Sequence, residues 1–132
     1  VRFRPSSLEE IEADLQEVAR AEFGADERVT WVVGGGSAWL RDAVGEHEWT
    51  FDGVFADTWP GKYHARDLAM RLVKPEGWYL VDDLYPQPGW PDGHQTSVDA
   101  LVDDLSSLAS WNTEFLDLGS GVMLCIRSGH SA

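Results

Sequence analysis

The sequence predicts an α/β domain, with a mostly parallel sheet, helices on both faces and an antiparallel hairpin at the C-terminal end. Short β-branched and aromatic runs alternate with segments of helical periodicity, the pattern that builds parallel strands with crossover helices. Two strand-like runs near the C-terminus flank Gly119-Ser120-Gly121, a compact hairpin connection. A length of 132 residues suits one hydrophobic core and not two.

Taken in order, Ser7 and Glu10 form a capping box, and Leu8, Ile11, Leu15 and Val18 repeat at helical spacing until Gly24 ends the pattern. Residues Arg28 to Val33 are β-branched and aromatic, predicting a short buried strand that runs into Gly34-Gly35-Gly36. A brief helix is expected from Ser37 to Val44. Phe51 to Ala56 predicts a second strand, stopped at Asp57-Thr58-Trp59-Pro60-Gly61. Tyr63 to Val73 predicts a helix, and Lys74-Pro75-Glu76-Gly77 a turn. Trp78 to Val81 predicts a third strand ending in Asp82-Asp83. Tyr85 to His94 is rich in proline and glycine and predicts an irregular loop of a length that compact domains keep for function or motion. Thr96 or Ser97 then caps a helix to about Leu108, and Thr113–Leu118 with Val122–Arg127 form the hairpin.

A hydrophobic fraction of 43% and seven tryptophans mark a folded globule. With 23 acidic against 10 basic residues, the formal net charge of −13 repels nucleic-acid backbones and anionic membrane surfaces. Cys125, within an apolar run, reads as a small buried hydrophobe, and a lone cysteine allows no internal disulfide. No run has the length of a membrane span and Val-Arg-Phe-Arg-Pro is no signal peptide, so a cytoplasmic location is expected.

Ligands of open α/β sheets bind at the carboxyl ends of the strands. Asp57 follows one predicted strand there, and Asp82 and Asp83 follow another. Neighbouring strands lie about 5 Å apart, so Asp57 can face the pair. Consecutive strand residues point to opposite faces, so Asp82 and Asp83 converge only if the strand ends between them. Clustered carboxylates need a cation or a shared proton, and hard oxygen ligands suit Mg²⁺ or Ca²⁺. The plainer alternative is three acids that cap helices or face solvent.

The runs Phe51-Asp-Gly-Val-Phe-Ala-Asp-Thr-Trp-Pro-Gly-Lys-Tyr63 and Val73-Lys-Pro-Glu-Gly-Trp-Tyr-Leu-Val-Asp-Asp83 resemble the fourth and fifth strands of small-molecule O-methyltransferases. These are class I S-adenosylmethionine (SAM)-dependent enzymes with a Rossmann-like sheet, of which the catechol O-methyltransferase group is the nearest named. Pro86-Gln-Pro-Gly-Trp-Pro-Asp-Gly-His94 resembles a bacterial subfamily. The resemblance implies that Asp57, Asp82 and Asp83 bind Mg²⁺, which lowers the pKa of a substrate hydroxyl. The resulting oxygen would attack the SAM methyl in line. It further implies that Asp57 and Trp59 meet the cofactor, and that Trp59, Tyr63 and Trp90 meet a small-molecule substrate.

The sequence departs from that pattern in three places. Pro60 stands where the catechol enzyme has a lysine base, leaving Lys62, His64 or His94 for the role, with Lys62 and His94 carried as catalytic candidates. The turn Gly34–Ala38 lacks the acid that reads adenine; its glycine run either lets Gly35, Gly36 and Ser37 approach the cofactor through backbone or is a plain turn. The family's first strand and its glycine-rich loop have no counterpart. Aligning the family's second strand end to residues 11–14 makes Glu12 the ribose-binding acid, whereas periodicity places Glu12 in an amphipathic helix. Without the first strand, Phe51–Ala56 would have an open edge. Upstream residues, a partner copy or a rearranged N-terminal helix must then cover it, so a partial domain or a homo-oligomer is expected. Two functions follow from different classes: a SAM-dependent O-methyltransferase acting on a small hydroxylated molecule, or a non-catalytic binding or assembly module of the same fold. Metal-dependent hydrolysis at the same acids is a third.

Overall fold

The computed structural model describes residues 11–30, 32 and 34–129, with side chains from Glu17 onward. Among the described residues the elements are α1 (Ile11–Phe23), α2 (Gly36–His47), β1 (Phe51–Phe55), α3 (Trp59–Lys62), α4 (Arg66–Leu72), β2 (Val73–Val81), α5 (His94–Ser106), β3 (Trp111–Leu116) and β4 (Val122–Arg127). They fall into two compact units, Val1–Trp39 and Leu40–Ala132.

In the first unit, α1 stops where expected: the Gly24 amide closes on the Arg20 carbonyl at 2.7 Å. An added Cβ on Gly24 would lie 2.3 Å from that same oxygen, so the helix ends on a residue without one. The Ser7–Glu10 capping box lies outside the described residues, as do Trp31 and Val33 of the expected first strand. Arg28, Val29, Thr30 and Val32 belong to no strand. Asp26 pairs with Arg28 at 2.7 Å and shapes the turn instead.

The second unit is built on a four-stranded sheet of order β1-β2-β4-β3. β1 and β2 run parallel, Phe55 facing Leu80, and the β3–β4 hairpin joins antiparallel through β4, Tyr79 facing Cys125. The expected combination of parallel strands and a closing antiparallel hairpin is therefore present. Alternation sorts the sheet into two faces. Tyr79, Val81, Met123 and Cys125 are buried on one, whereas Phe55 and Trp78 are exposed on the other. Further core comes from Val73 of β2, Ala56 and Leu84 after the strands, Ala69, Met70 and Leu72 of α4, Val98, Leu101 and Leu105 of α5, and Leu40, Ala43 and Val44 of α2. Burial of this kind stabilises by about 25 cal/mol per Å² of apolar surface. It also pushes the Cys125 thiol up to about 11, consistent with the inert core cysteine expected.

Local geometry corrects four boundaries. The helix expected over Tyr63–Val73 is shortened to Arg66–Leu72, because Ala65 adopts a left-handed φ of 53° and Val73 already belongs to β2. Lys74–Gly77 is no free turn but an irregular stretch inside β2. Glu76 has φ 65°, and the register jumps from Phe51 facing Val73 to Gly53 facing Trp78. α5 begins at His94 behind a left-handed Gly93, not behind Thr96 or Ser97. β3 begins at Trp111, two residues before its expected start, since Trp111 pairs with Arg127.

Candidate active site

Asp57, Asp82 and Asp83 come together. Each offers one carboxylate oxygen, and the three lie within 4.8 Å of one another. The topology explains why. β1 and β2 are parallel neighbours, so their carboxyl ends are adjacent, and the Ala56 amide donates to the Leu80 carbonyl at 2.9 Å to carry the pairing to Asp57. β2 ends at Val81, and Asp83 turns into left-handed geometry at φ 57°. The strand thus ends before both acids, one residue earlier than the expected break between them, and with Asp83 left-handed the alternation of an extended strand no longer sends Asp82 and Asp83 to opposite faces.

Two features missed in the sequence hold that turn. The Asp83 amide donates to Ser120 Oγ at 3.2 Å, and the Leu84 and Tyr85 amides donate to the Ser120 carbonyl at 3.0 and 2.8 Å. Gly121 follows at φ 85°, and a Cβ there would lie 2.9 Å from the Tyr85 nitrogen. The hairpin turn, read from sequence as a simple connection, is the support beneath the acids. The paired glycines around Ser120 were its only sequence signal.

The electrostatics are those of crowded carboxylates. Burial, then the charges of Asp57 and Asp83 and a hydrogen bond with Asp57, push the Asp82 carboxyl above the usual range, with Lys62 pulling the other way. Asp82 Oδ1 is buried without a hydrogen-bond partner among the described residues, as is the Tyr63 hydroxyl. A buried, unpaired carboxylate oxygen costs free energy unless something binds it. That orphan oxygen, with two further carboxylates alongside, fits a hard divalent cation.

Lys62 is 4% exposed, and its ammonium donates to the Asp82 carbonyl oxygen at 2.5 Å. Burial pulls its pKa down, while Asp82, Asp83 and Asp57 raise it in part. Beside it, Gly61 at φ 89° brings its carbonyl to the Tyr79 hydroxyl at 2.5 Å and lets the chain pass Ala69, Leu40 and Ala56. Only a residue without a side chain takes that path easily.

The expected aromatic residues also gather. Trp59, half exposed, lies 4.9 Å from Tyr63 and stacks on His64 at 5.6 Å, centroid to centroid. His94 meets Trp59, Tyr63 and Trp90 at 5.9, 5.7 and 4.6 Å. Burial, then the charge of Asp83, push the Tyr63 hydroxyl above its ordinary range. Gly35 precedes α2, and Gly36 and Ser37 are its first residues, in the other compact unit. The Glu12 side chain lies outside the described residues, its backbone within α1.

No family model matches the chain, and no curated protein matches it. Solved structures do. An O-methyltransferase from Bacillus cereus in complex with S-adenosylhomocysteine (SAH) is 15% identical with a TM-score of 0.72, covering 96% of this chain and 61% of that one. The SAH-bound methyltransferase PaMTH1 of Podospora anserina is 18% identical with a TM-score of 0.69, covering 96% and 58%. The O-methyltransferase TomG of Streptomyces achromogenes, involved in tomaymycin synthesis and solved with SAM, is 22% identical with a TM-score of 0.67, covering 89% and 57%. The chain thus spans less than two thirds of the length of the structures it matches. Among the described residues no helix is long and apolar enough to cross a membrane. The chain has the fold of the class I SAM-dependent O-methyltransferases.

Proposed function

We propose that this chain is the carboxylate-bearing part of a SAM-dependent O-methyltransferase that acts on a small hydroxylated molecule. The observation that carries the proposal is the meeting of Asp57, Asp82 and Asp83 at the carboxyl ends of parallel neighbours, in a fold shared with O-methyltransferases. Asp57, Asp82 and Asp83 would hold a divalent cation such as Mg²⁺, which when bound supplies Lewis acidity that lowers a hydroxyl pKa. SAM, if bound, would supply an electrophilic methyl group for the oxygen of the acceptor.

The chain's own residues do the rest. Ser120 fixes the backbone that presents Asp83, and Lys62 fixes that of Asp82. Trp59, Tyr63 and Trp90 give flat walls that orient a substrate and exclude water, so that catalysis comes mainly from positioning. His94, packed among those rings, is assigned the hydroxyl proton. Asp57 and Trp59, with the backbone of Gly35, Gly36 and Ser37 and the carboxylate of Glu12, are assigned to SAM. A soluble, cytoplasmic chain working as a homo-oligomer or with an upstream segment completing its sheet remains part of this proposal.

Calorimetric titration with SAM, with and without Mg²⁺, followed by methyl transfer to a panel of small hydroxylated acceptors, tests the assignment. Asp57→Asn is expected to lower Mg²⁺-dependent turnover by a factor of about 10² or more; unchanged turnover removes that acid from the mechanism. A stable fold with no heat on adding SAM would favour the second function, a non-catalytic binding module. The acid-free turn Gly34–Ala38 is the observation on that side.

A further inference from the structure

Lys62 is a buried cation placed where a dissociable metal would be expected to do all the neutralising. It is 4% exposed, and its ammonium is anchored on the backbone carbonyl oxygen of Asp82, a member of the carboxylate cluster. An ammonium is costly to bury unless charges and acceptors of opposite sign surround it. Three carboxylates crowded within 4.8 Å are costly for the opposite reason. Each burden offsets the other, and α3 is short and left-handed at Gly61 in a way that delivers Lys62 inward.

We propose that Lys62 is the resident counter-cation of the aspartate trio, a positioning residue that keeps the three carboxylates together before any metal arrives. With all three ionised, it leaves two negative charges uncancelled, the amount that a single divalent cation neutralises. The first half stands on the burial of Lys62 and its bond to the Asp82 backbone beside the clustered carboxylates; the second rests on the metal-binding function proposed above. Lys62 on this view is no mobile proton carrier but a fixed charge that sets how many cations the site takes and how tightly.

The test compares chelator-treated wild type with Lys62→Met, Lys62→Arg, Asp57→Asn and the Lys62→Met/Asp57→Asn double variant, by thermal unfolding and by Mn²⁺ titration. Lys62→Met is expected to lower Tm by roughly 10 °C, and Asp57→Asn to recover about half of that loss only in the Lys62→Met background. Lys62→Arg keeps the charge and is expected to stay within a few degrees of wild type. Additive Tm effects of the two substitutions overturn the proposal. If Lys62→Met alone does not fold, recovery of folding in the double variant supports it, and failure of both while Asp57→Asn folds overturns it.

Mn²⁺ is expected to bind Lys62→Met about tenfold more tightly than wild type, through the loss of one positive charge. Equal affinity for the two overturns the charge-setting role. Absence of Mn²⁺ binding in every variant sinks the metal-binding function instead, and the Tm coupling still decides what Lys62 does.

Discussion

A cation sits at each end of β2, and the two ends are finished differently. At the start of the strand, Arg127 donates to the carbonyls of Met70 and Val73 at 3.3 and 2.9 Å, and its guanidinium lies over the rings of Trp49 and Trp111 at 4.8 and 5.6 Å. Both oxygens belong to the junction where α4 hands over to β2, so the positive charge also meets the carbonyl end of a helix. Past the end of the strand, Lys62 donates to the Asp82 carbonyl beside three carboxylates, with Asp82 Oδ1 and the Tyr63 hydroxyl unpartnered among the described residues. At one end Arg127 is closed in by neutral acceptors and flat rings, and no buried side-chain oxygen or nitrogen there is without a hydrogen-bond partner among the described residues. The other concentrates charge and leaves acceptors open. That contrast separates a structural clasp from a candidate site more clearly than the presence of buried charge alone.

Breaking the clasp is expected to have the largest effect on stability. Arg127→Met removes two charged hydrogen bonds and two cation–π contacts, and about 3 kcal/mol of stability by chemical denaturation is the expected loss. Mn²⁺ affinity of the folded fraction should not change; a parallel loss of affinity would show that the two ends of β2 are coupled. Gly121→Ala attacks the other end from beneath. At φ 85° and 2.9 Å from the Tyr85 nitrogen, the new methyl is expected to cost about 2 kcal/mol and to displace the turn that carries Asp83. Here denaturation and metal titration should move together.

Ser120→Ala is subtler. It removes one acceptor, for the Asp83 amide, and leaves the Ser120 carbonyl bonds in place. About 1 kcal/mol is expected, with a disproportionate loss of cation affinity as Asp83 loosens. An unchanged affinity would take Ser120 out of the site's support. Asp52→Asn, which breaks the ion pair with Lys74 on the exposed start of β1 and β2, is expected to leave Tm where it is. A clear shift there would mean that the clasp end depends on surface charge as well as on Arg127.

How much of this was legible in sequence follows from where each piece of information sits. The acids were legible, because strand ends and parallel pairing are local patterns that project Asp57, Asp82 and Asp83 to one place. β4 was legible to the residue, since Val122–Arg127 is apolar and bounded by glycine. The breaks at Ala65 and Glu76 were not. Both are non-glycine residues in left-handed conformations, which no composition signal announces and which tertiary contacts impose. Lys62 was legible as a charged residue near the site but not as a buried one. Its inward direction depends on the kink at Pro60 and Gly61, where φ/ψ leave the helical region. Ser120 was hidden by distance along the chain, 37 residues from the amide it accepts.

That separation in the chain carries a consequence for how the molecule is made. A ribosome delivers Asp57, Asp82 and Asp83 well before the turn at Ser120, and β4, the last strand among the described residues, is the one that pairs with β2 antiparallel. Until that late segment docks, the acids have no fixed backbone and β2 has a raw edge. The nascent chain therefore holds this carboxylate cluster without its support until Ser120 has been made, and a product cut short after α5 would carry Asp57, Asp82 and Asp83 but not the turn that holds them.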